Sequence, residues 1–274
     1  MRTIVFIELQ GETFIMFVSK VRTESPSAVN PWLVTAKPPP KASLRLFCFP
    51  YAGGTAGTFR TWPRCLPEKV ELCAFQLPGR GTRMSESPFT HLSPLITTLA
   101  RVIKPYLDRP AAFFGHSMGA LIAFELARRL RWESNREPVH LFLSGRRAAQ
   151  LPIDEPHTYD LPESEFLNKL RRLNGTPPEV FDHPELLQLM IPLLRADFSI
   201  CQTYTYSTEP PLSCPITVFG GLKDHEIGPE LLKPWAAQTT STFSLRMLPG
   251  DHFFINTSQP LMCHLLSKQL NQLV

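Results

Sequence analysis

Three side chains in this sequence could together turn an alcohol into a nucleophile: Ser117, Asp224 and His252. A serine hydroxyl is unreactive by itself. It needs a base to take its proton, a group that orients the base, and donors for the oxyanion that forms on attack. Ser117 lies in "FFGHSMGALIAFELARRL", where Gly115-His116-Ser117-Met118-Gly119 is a G-x-S-x-G pentapeptide between an apolar run and a helix-like pattern. The glycines have a steric reason. On a sharp strand-to-helix turn, side chains at those two positions would strike neighbouring elements. The turn lifts the hydroxyl above the sheet and aims the first free N–H of the helix at it.

Eight histidines could supply the base. His116 adjoins Ser117 on the turn and points away from it, and His91, His140, His157, His183 and His264 lie in contexts with no catalytic signature. His252 differs: "LRMLPGDHFFINTSQP" reads as a strand, a Pro-Gly-Asp turn and then the histidine. For the acid, "VFGGLKDHEIGPE" puts Asp224 just past a strand and a Gly-Gly, which gives the chain order Ser, acid, His. Glu226 and Asp251 compete for that role. The expected oxyanion donors are the backbone N–H of Met118 and one from the loop "PYAGG", at Ala52 or its neighbour Tyr51.

These residues must be carried by something rigid. The stretches Leu44–Phe49, Val70–Gln76, Ala111–Phe114, Val139–Ser144, Ile216–Phe219 and Phe243–Leu248 read as strands. Helical patterns fall at about Phe59–Leu66, Leu92–Leu107, Met118–Arg131, Pro229–Thr239 and Gln259–Val274. Continuous apolar strands alternating with amphipathic helices make an α/β fold, a mostly parallel central sheet with helices on both faces. Residues 152–206 break the rhythm with two helical patterns, the second interrupted at Pro192, and read as a helical lid insertion. Residues 1–43 read as an N-terminal extension and lead-in: two strand-forming runs around Gln10-Gly11, then a Pro-, Ser- and Lys-rich stretch over 22–43. The catalytic domain is then 44–274.

Composition narrows the class. Hydrophobic residues are 43% of 274, enough for a sizeable core. The net charge of +4 comes with no basic stripe, which argues against a nucleic-acid partner. No apolar run is long enough for a membrane helix, and Glu8, Gln10 and Glu12 interrupt what a signal peptide would keep apolar. Six cysteines without zinc or C-x-x-C spacing read as free, mostly buried thiols, and no metal site is expected. A cytoplasmic monomer is the expectation.

Over about residues 31–270 the chain resembles the type II thioesterases that accompany nonribosomal peptide and polyketide synthases. The motifs are "LFCFPYAGGTAGTFRTW", "QLPGRGTRMSE", "FFGHSMGALIAFELARRL", "LLRADFSICQTYTY", "VFGGLKDHEIGPELLKPWAAQT" and "MLPGDHFFI". The resemblance implies an α/β-hydrolase fold and an acyl thioester substrate on the phosphopantetheine arm of a carrier protein. It implies no cofactor of the enzyme's own, and an arm that enters beside Tyr51, Gly53 and Gly54. It also implies an editing role, removal of wrong or stalled acyl groups. The first 30 residues have no counterpart in the family pattern. The residues alone leave two other readings open. One is a small-molecule esterase, lipase or acyltransferase; the other is a hydrolase fold that only binds a carrier protein.

Overall fold

The computed structural model describes residues 3–9, 12–18, 30–35, 42–153, 157–173, 175 and 178–274. They fall in two compact units, one ending at Asn30 and the other starting at Pro31. The first contains a hairpin of antiparallel strands β1 (Thr3–Leu9) and β2 (Glu12–Val18), paired from Thr3 with Val18 to Leu9 with Glu12. This is the expected pair of strand-forming runs. Their expected turn at Gln10-Gly11 lies outside the described residues, as do 22–29 and 36–41 of the expected lead-in.

The second unit is built on seven strands: β3 (Leu33–Thr35), β4 (Leu44–Phe49), β5 (Val70–Phe75), β6 (Ala111–His116), β7 (His140–Ser144), β8 (Ile216–Gly221) and β9 (Phe243–Leu248). They form one sheet in the order β3-β5-β4-β6-β7-β8-β9, all parallel except β3, which runs antiparallel to β5. Sequence reading places the six parallel strands and misses β3. That strand has three residues, close to Pro31 and the Pro38–Pro40 run, too few to show a period.

Both sheet faces are covered. In β4, Phe47 and Phe49 join one apolar cluster while Leu44, Leu46 and Cys48 join the other. A strand buried on both sides has no polar face, which explains its apolar sequence apart from Arg45, whose buried guanidinium pairs with Glu71 of β5 at 2.8 Å. The first cluster takes in helices α1 (Leu92–Ile103) and α2 (Met118–Ser134), the second the C-terminal α6 (Phe254–Thr257) and α7 (Gln259–Leu270).

Several helical expectations are shortened. The helix expected over Phe59–Leu66 is instead two 3-10 turns, Ala56–Phe59 and Trp62–Arg64, because Pro63 has no N–H to continue a helical ladder. The helix expected over Leu92–Leu107 ends as α1 at Ile103, just before Pro105, and continues as a 3-10 turn. Helix α5 covers only Pro229–Leu232 before a 3-10 turn containing Pro234.

Between β7 and β8 lie helices α3 (Glu163–Leu173) and α4 (Pro184–Gln202). The expected break at Pro192 does not occur, since α4 runs through it. The carbonyl that Pro192 leaves without a donor is that of Gln188, an exposed residue whose oxygen water can satisfy.

Candidate active site

The register of the parallel strands brings their C-terminal ends to one edge. Phe49 pairs with Gly115, His116 with Ser144, Ser144 with Phe219, and Gly221 with Leu248. The loops that leave this edge carry every candidate residue. Open parallel sheets place their sites here.

One residue separates β6 from α2, and it is Ser117, with φ 52° and ψ −114°. A positive φ on a non-glycine residue is strained, and the surrounding packing enforces it. A Cβ on Gly115 would lie 2.0 Å from the Gly119 carbonyl oxygen, and a Cβ on Gly119 would lie 2.0 Å from that of Phe49. The steric reason read from G-x-S-x-G is therefore visible. The Ser117 N–H donates to the Ser144 carbonyl at 2.7 Å, which ties the turn to β7.

His252 stands on the loop after β9. Its Nε2 is 3.1 Å from Ser117 Oγ and its Nδ1 is 2.7 Å from Asp224 Oδ2. The other Asp224 oxygen, Oδ1, accepts from the N–H groups of Glu226 and Ile227 at 3.0 and 3.1 Å. Burial works to raise the Asp224 pKa, but the hydrogen bonds from His252 and these amides prevail, and the carboxyl sits below its ordinary range. Asp224 is therefore an ionised acceptor that holds Nδ1–H and leaves Nε2 to face the serine.

The competitors are employed elsewhere. Glu226 pairs with Lys169 of α3 at 2.7 Å. Asp251 Oδ1 accepts from the Phe253 N–H at 2.9 Å. His116 is fully buried, its Nδ1 lies 2.8 Å from Ser144 Oγ, and burial holds its pKa well below the ordinary value.

Beside Ser117, the chain after β4 makes a tight turn in which the Gly54 N–H donates to the Tyr51 carbonyl at 2.8 Å. Gly53 takes φ +74°, the left-handed angle that the third residue of a type II turn requires. Ala52 is the second residue of that turn. Met118 is the first residue of α2, so its N–H has no intrahelical acceptor. Tyr51, Ala52, Gly53 and Gly54 line a cavity of about 390 Å³ together with Ser117 and His252. Leu170 of α3 and Leu194 of α4 are among its apolar walls.

Two residues to which the sequence alone assigns no role stand beside the turn. Arg80 comes from "QLPGRG" and Asp197 from "LLRADFS"; they are 3% and 0% exposed and paired. The available signal was Asp197 itself, three residues after Leu194 on the apolar stripe of a helix. An acid there requires a buried cation.

Among the described residues, no group of His, Cys, Asp and Glu could hold a metal ion, and no helix is long and apolar enough to cross a membrane.

A parallel sheet, a strained serine between a strand and a helix, and an ordered acid and histidine on later loops define an α/β-hydrolase. The thioesterase domain family matches residues 44–270, and the chain belongs to that family. It is 47% identical to the gramicidin S biosynthesis protein GrsT of Aneurinibacillus migulanus, over 89% of this chain and 95% of the relative. Among solved structures it matches the RedJ thioesterase from the prodiginine biosynthetic pathway of Streptomyces coelicolor. That match has a TM-score of 0.80 and 39% identity, covering 85% of this chain and 93% of that one. The type II thioesterase BorB from the borrelidin biosynthetic cluster also gives a TM-score of 0.80, at 31% identity, over 88% of this chain and 98% of that one.

Proposed function

We propose that this protein is a type II thioesterase that hydrolyses acyl groups from the phosphopantetheine arm of carrier proteins, editing a nonribosomal peptide or polyketide synthase as a monomer. The observation that carries the reading is the Ser117–His252–Asp224 hydrogen-bond chain, which opens into an apolar cavity walled by α3 and α4. Residues 44–274 are the catalytic domain in this reading, and residues 152–206 are its lid.

The steps follow from the atoms. His252 Nε2 takes the proton from Ser117 Oγ as the oxygen attacks the thioester carbon. The carbonyl oxygen becomes an oxyanion, held by the N–H groups of Met118 and Ala52. The tetrahedral intermediate collapses, the C–S bond breaks, and the departing pantetheine sulfur takes the proton from His252. This leaves an acyl ester on Ser117. Water then attacks that ester and gives its proton to His252; collapse releases the acid and returns the proton to Ser117 Oγ. The phosphopantetheine belongs to the substrate, so no cofactor is required. The apolar wall suits an acyl chain, and the turn at Tyr51, Gly53 and Gly54 is where the arm enters.

The test uses acetyl-loaded carrier protein, with release followed for the wild type and Ser117→Ala. Rapid release by the wild type and none by the variant is expected. Equal release would remove Ser117 from the mechanism. Fast cleavage of p-nitrophenyl esters with no action on the loaded carrier would make the protein a small-molecule esterase.

A further inference from the structure

The proton relay does not use Arg80 or Asp197, yet these two make the most enclosed ion pair beside the site. Arg80 Nη1 and Nη2 donate to Asp197 Oδ2 and Oδ1, both at 2.7 Å, as a planar fork. Asp197 Oδ2 also accepts the main-chain N–H of Gly53 at 2.7 Å. Arg80 Nη1 reaches the Gly54 carbonyl at 3.4 Å, and Arg80 Nε donates to the Pro78 carbonyl at 3.3 Å. The pair therefore grips the turn Tyr51–Gly54 through an N–H at one residue and a C=O at the next.

The grip falls on a particular peptide. In a tight turn, types I and II differ by a rotation of the peptide between the second and third residues. Here that peptide joins Ala52 to Gly53, and the N–H held by Asp197 is its own. That rotation leaves φ of Ala52, and so its N–H, unchanged; what the contacts at Gly53 N–H and Gly54 C=O fix is where the turn sits, and the Ala52 N–H one residue back is carried to that place with it. The wall behind the turn is equally close. A Cβ on Gly53 would lie 2.7 Å from Leu194 Cδ2, one turn before Asp197 on α4.

We infer that Arg80 and Asp197 are positioning residues that hold the Tyr51–Gly54 turn at the place where its Ala52 N–H meets the oxyanion. Because Asp197 belongs to α4, the oxyanion site is complete only while that helix is seated on the turn. This inference rests on the Ser117 reading proposed above.

The test replaces the ion pair by a neutral pair of similar shape, Arg80→Gln with Asp197→Asn, so that no lone charge is left buried. Active sites are counted by a fluorophosphonate that labels the serine, and kcat per labelled site and KM are measured on acetyl-loaded carrier protein. Loss of one oxyanion donor lowers turnover by about 100-fold or more. The expected result is therefore a fall of about 100-fold in kcat per labelled site with little change in KM, and slower labelling. A merely structural role would lower the labelled fraction and leave kcat per site at the wild-type value, which overturns the inference. If the double variant does not fold, Arg80→Lys keeps the charge, loses the fork, and is read by the same two criteria. Ser117→Ala, run alongside, separates the claims. Activity in Ser117→Ala overturns the nucleophile; an inactive Ser117→Ala beside a clamp variant with wild-type kcat overturns only the clamp.

Discussion

Adding one methyl group at Gly119 tests the geometry of the serine turn directly. The Cβ of Gly119→Ala would fall 2.0 Å from the Phe49 carbonyl oxygen, 2.6 Å from its carbon and 2.7 Å from the Pro50 oxygen. A carbon–oxygen contact relaxes at about 3.3 Å, so α2 and the end of β4 must part by about 1.3 Å. No side chain can absorb this, because every atom struck is backbone. Overpacking of a tight interior costs about 1–3 kcal/mol, and this case belongs at the upper end. For a chain of this size, about 3 kcal/mol lowers Tm by roughly 6–12 °C. Activity should suffer more. The same displacement separates the Met118 N–H on α2 from the Ala52 N–H after β4, and a misplacement of about 1 Å costs on the order of 100-fold. The assay pairs urea unfolding followed by circular dichroism with kcat per labelled serine. Gly57→Ala is the control, since its Cβ meets only the Thr55 hydroxyl, at 3.0 Å. Wild-type stability and turnover in Gly119→Ala would refute the reasoning.

Other consequences are as direct. Asp224→Asn should lower kcat by about 10⁴-fold, because an amide no longer selects the Nδ1–H tautomer of His252; activity near wild type would exclude Asp224 as the orienting acid. Burial holds the His140 pKa down to about 4 and that of His116 well below its ordinary value, so both are neutral in the folded chain. As pH falls from about 6.5 toward 4, the unfolded chain binds protons that the folded chain refuses. Stability is therefore full above about 6.5 and declines through that window, by up to about 3 kcal/mol from His140 alone. Urea midpoints that stay level from pH 7 to 4.5, or that slope equally in His140→Gln, would contradict this. Of the six cysteines, Cys65 is exposed and the other five are buried. A thiol reagent should thus modify one site in the native protein and the rest only on unfolding, as mass spectrometry can read.

The parallel strands were legible because most of their residues are apolar on both faces, a consequence of burial that needs no knowledge of partners, with Arg45, Glu71 and Arg246 as the charged exceptions. The serine turn was legible because two glycines and a helix start leave a steric mark within five residues. Asp224 and His252 were legible from chain order, and geometry then separated Asp224 from Glu226 and Asp251. What escaped depended on distant partners or on very short segments. Strand β3 is held by pairing with Phe75, Ala74 and Cys73 rather than by any pattern of its own. The 3-10 turns around Pro63, Pro105 and Pro234 have helical composition, and single prolines decide against an α-helix. The meeting of Arg80 with Asp197 spans 117 residues, and neither segment alone states what the other supplies.

The strained backbone at Ser117 sets two kinds of selection against each other. Among the described residues, the only non-glycine positions with positive φ are Ser117 and Asn135. Asn135 closes α2 in the left-handed form that asparagine tolerates. Ser117, with ψ of −114°, has no such excuse, and strain of this kind costs on the order of 1–3 kcal/mol. Glycine is the residue most at ease at that angle, and glycine has no hydroxyl. A library of this gene sorted only for thermal resistance should therefore drift toward Ser117→Gly and lose its chemistry as it gains stability. Only a screen for turnover would retain the serine.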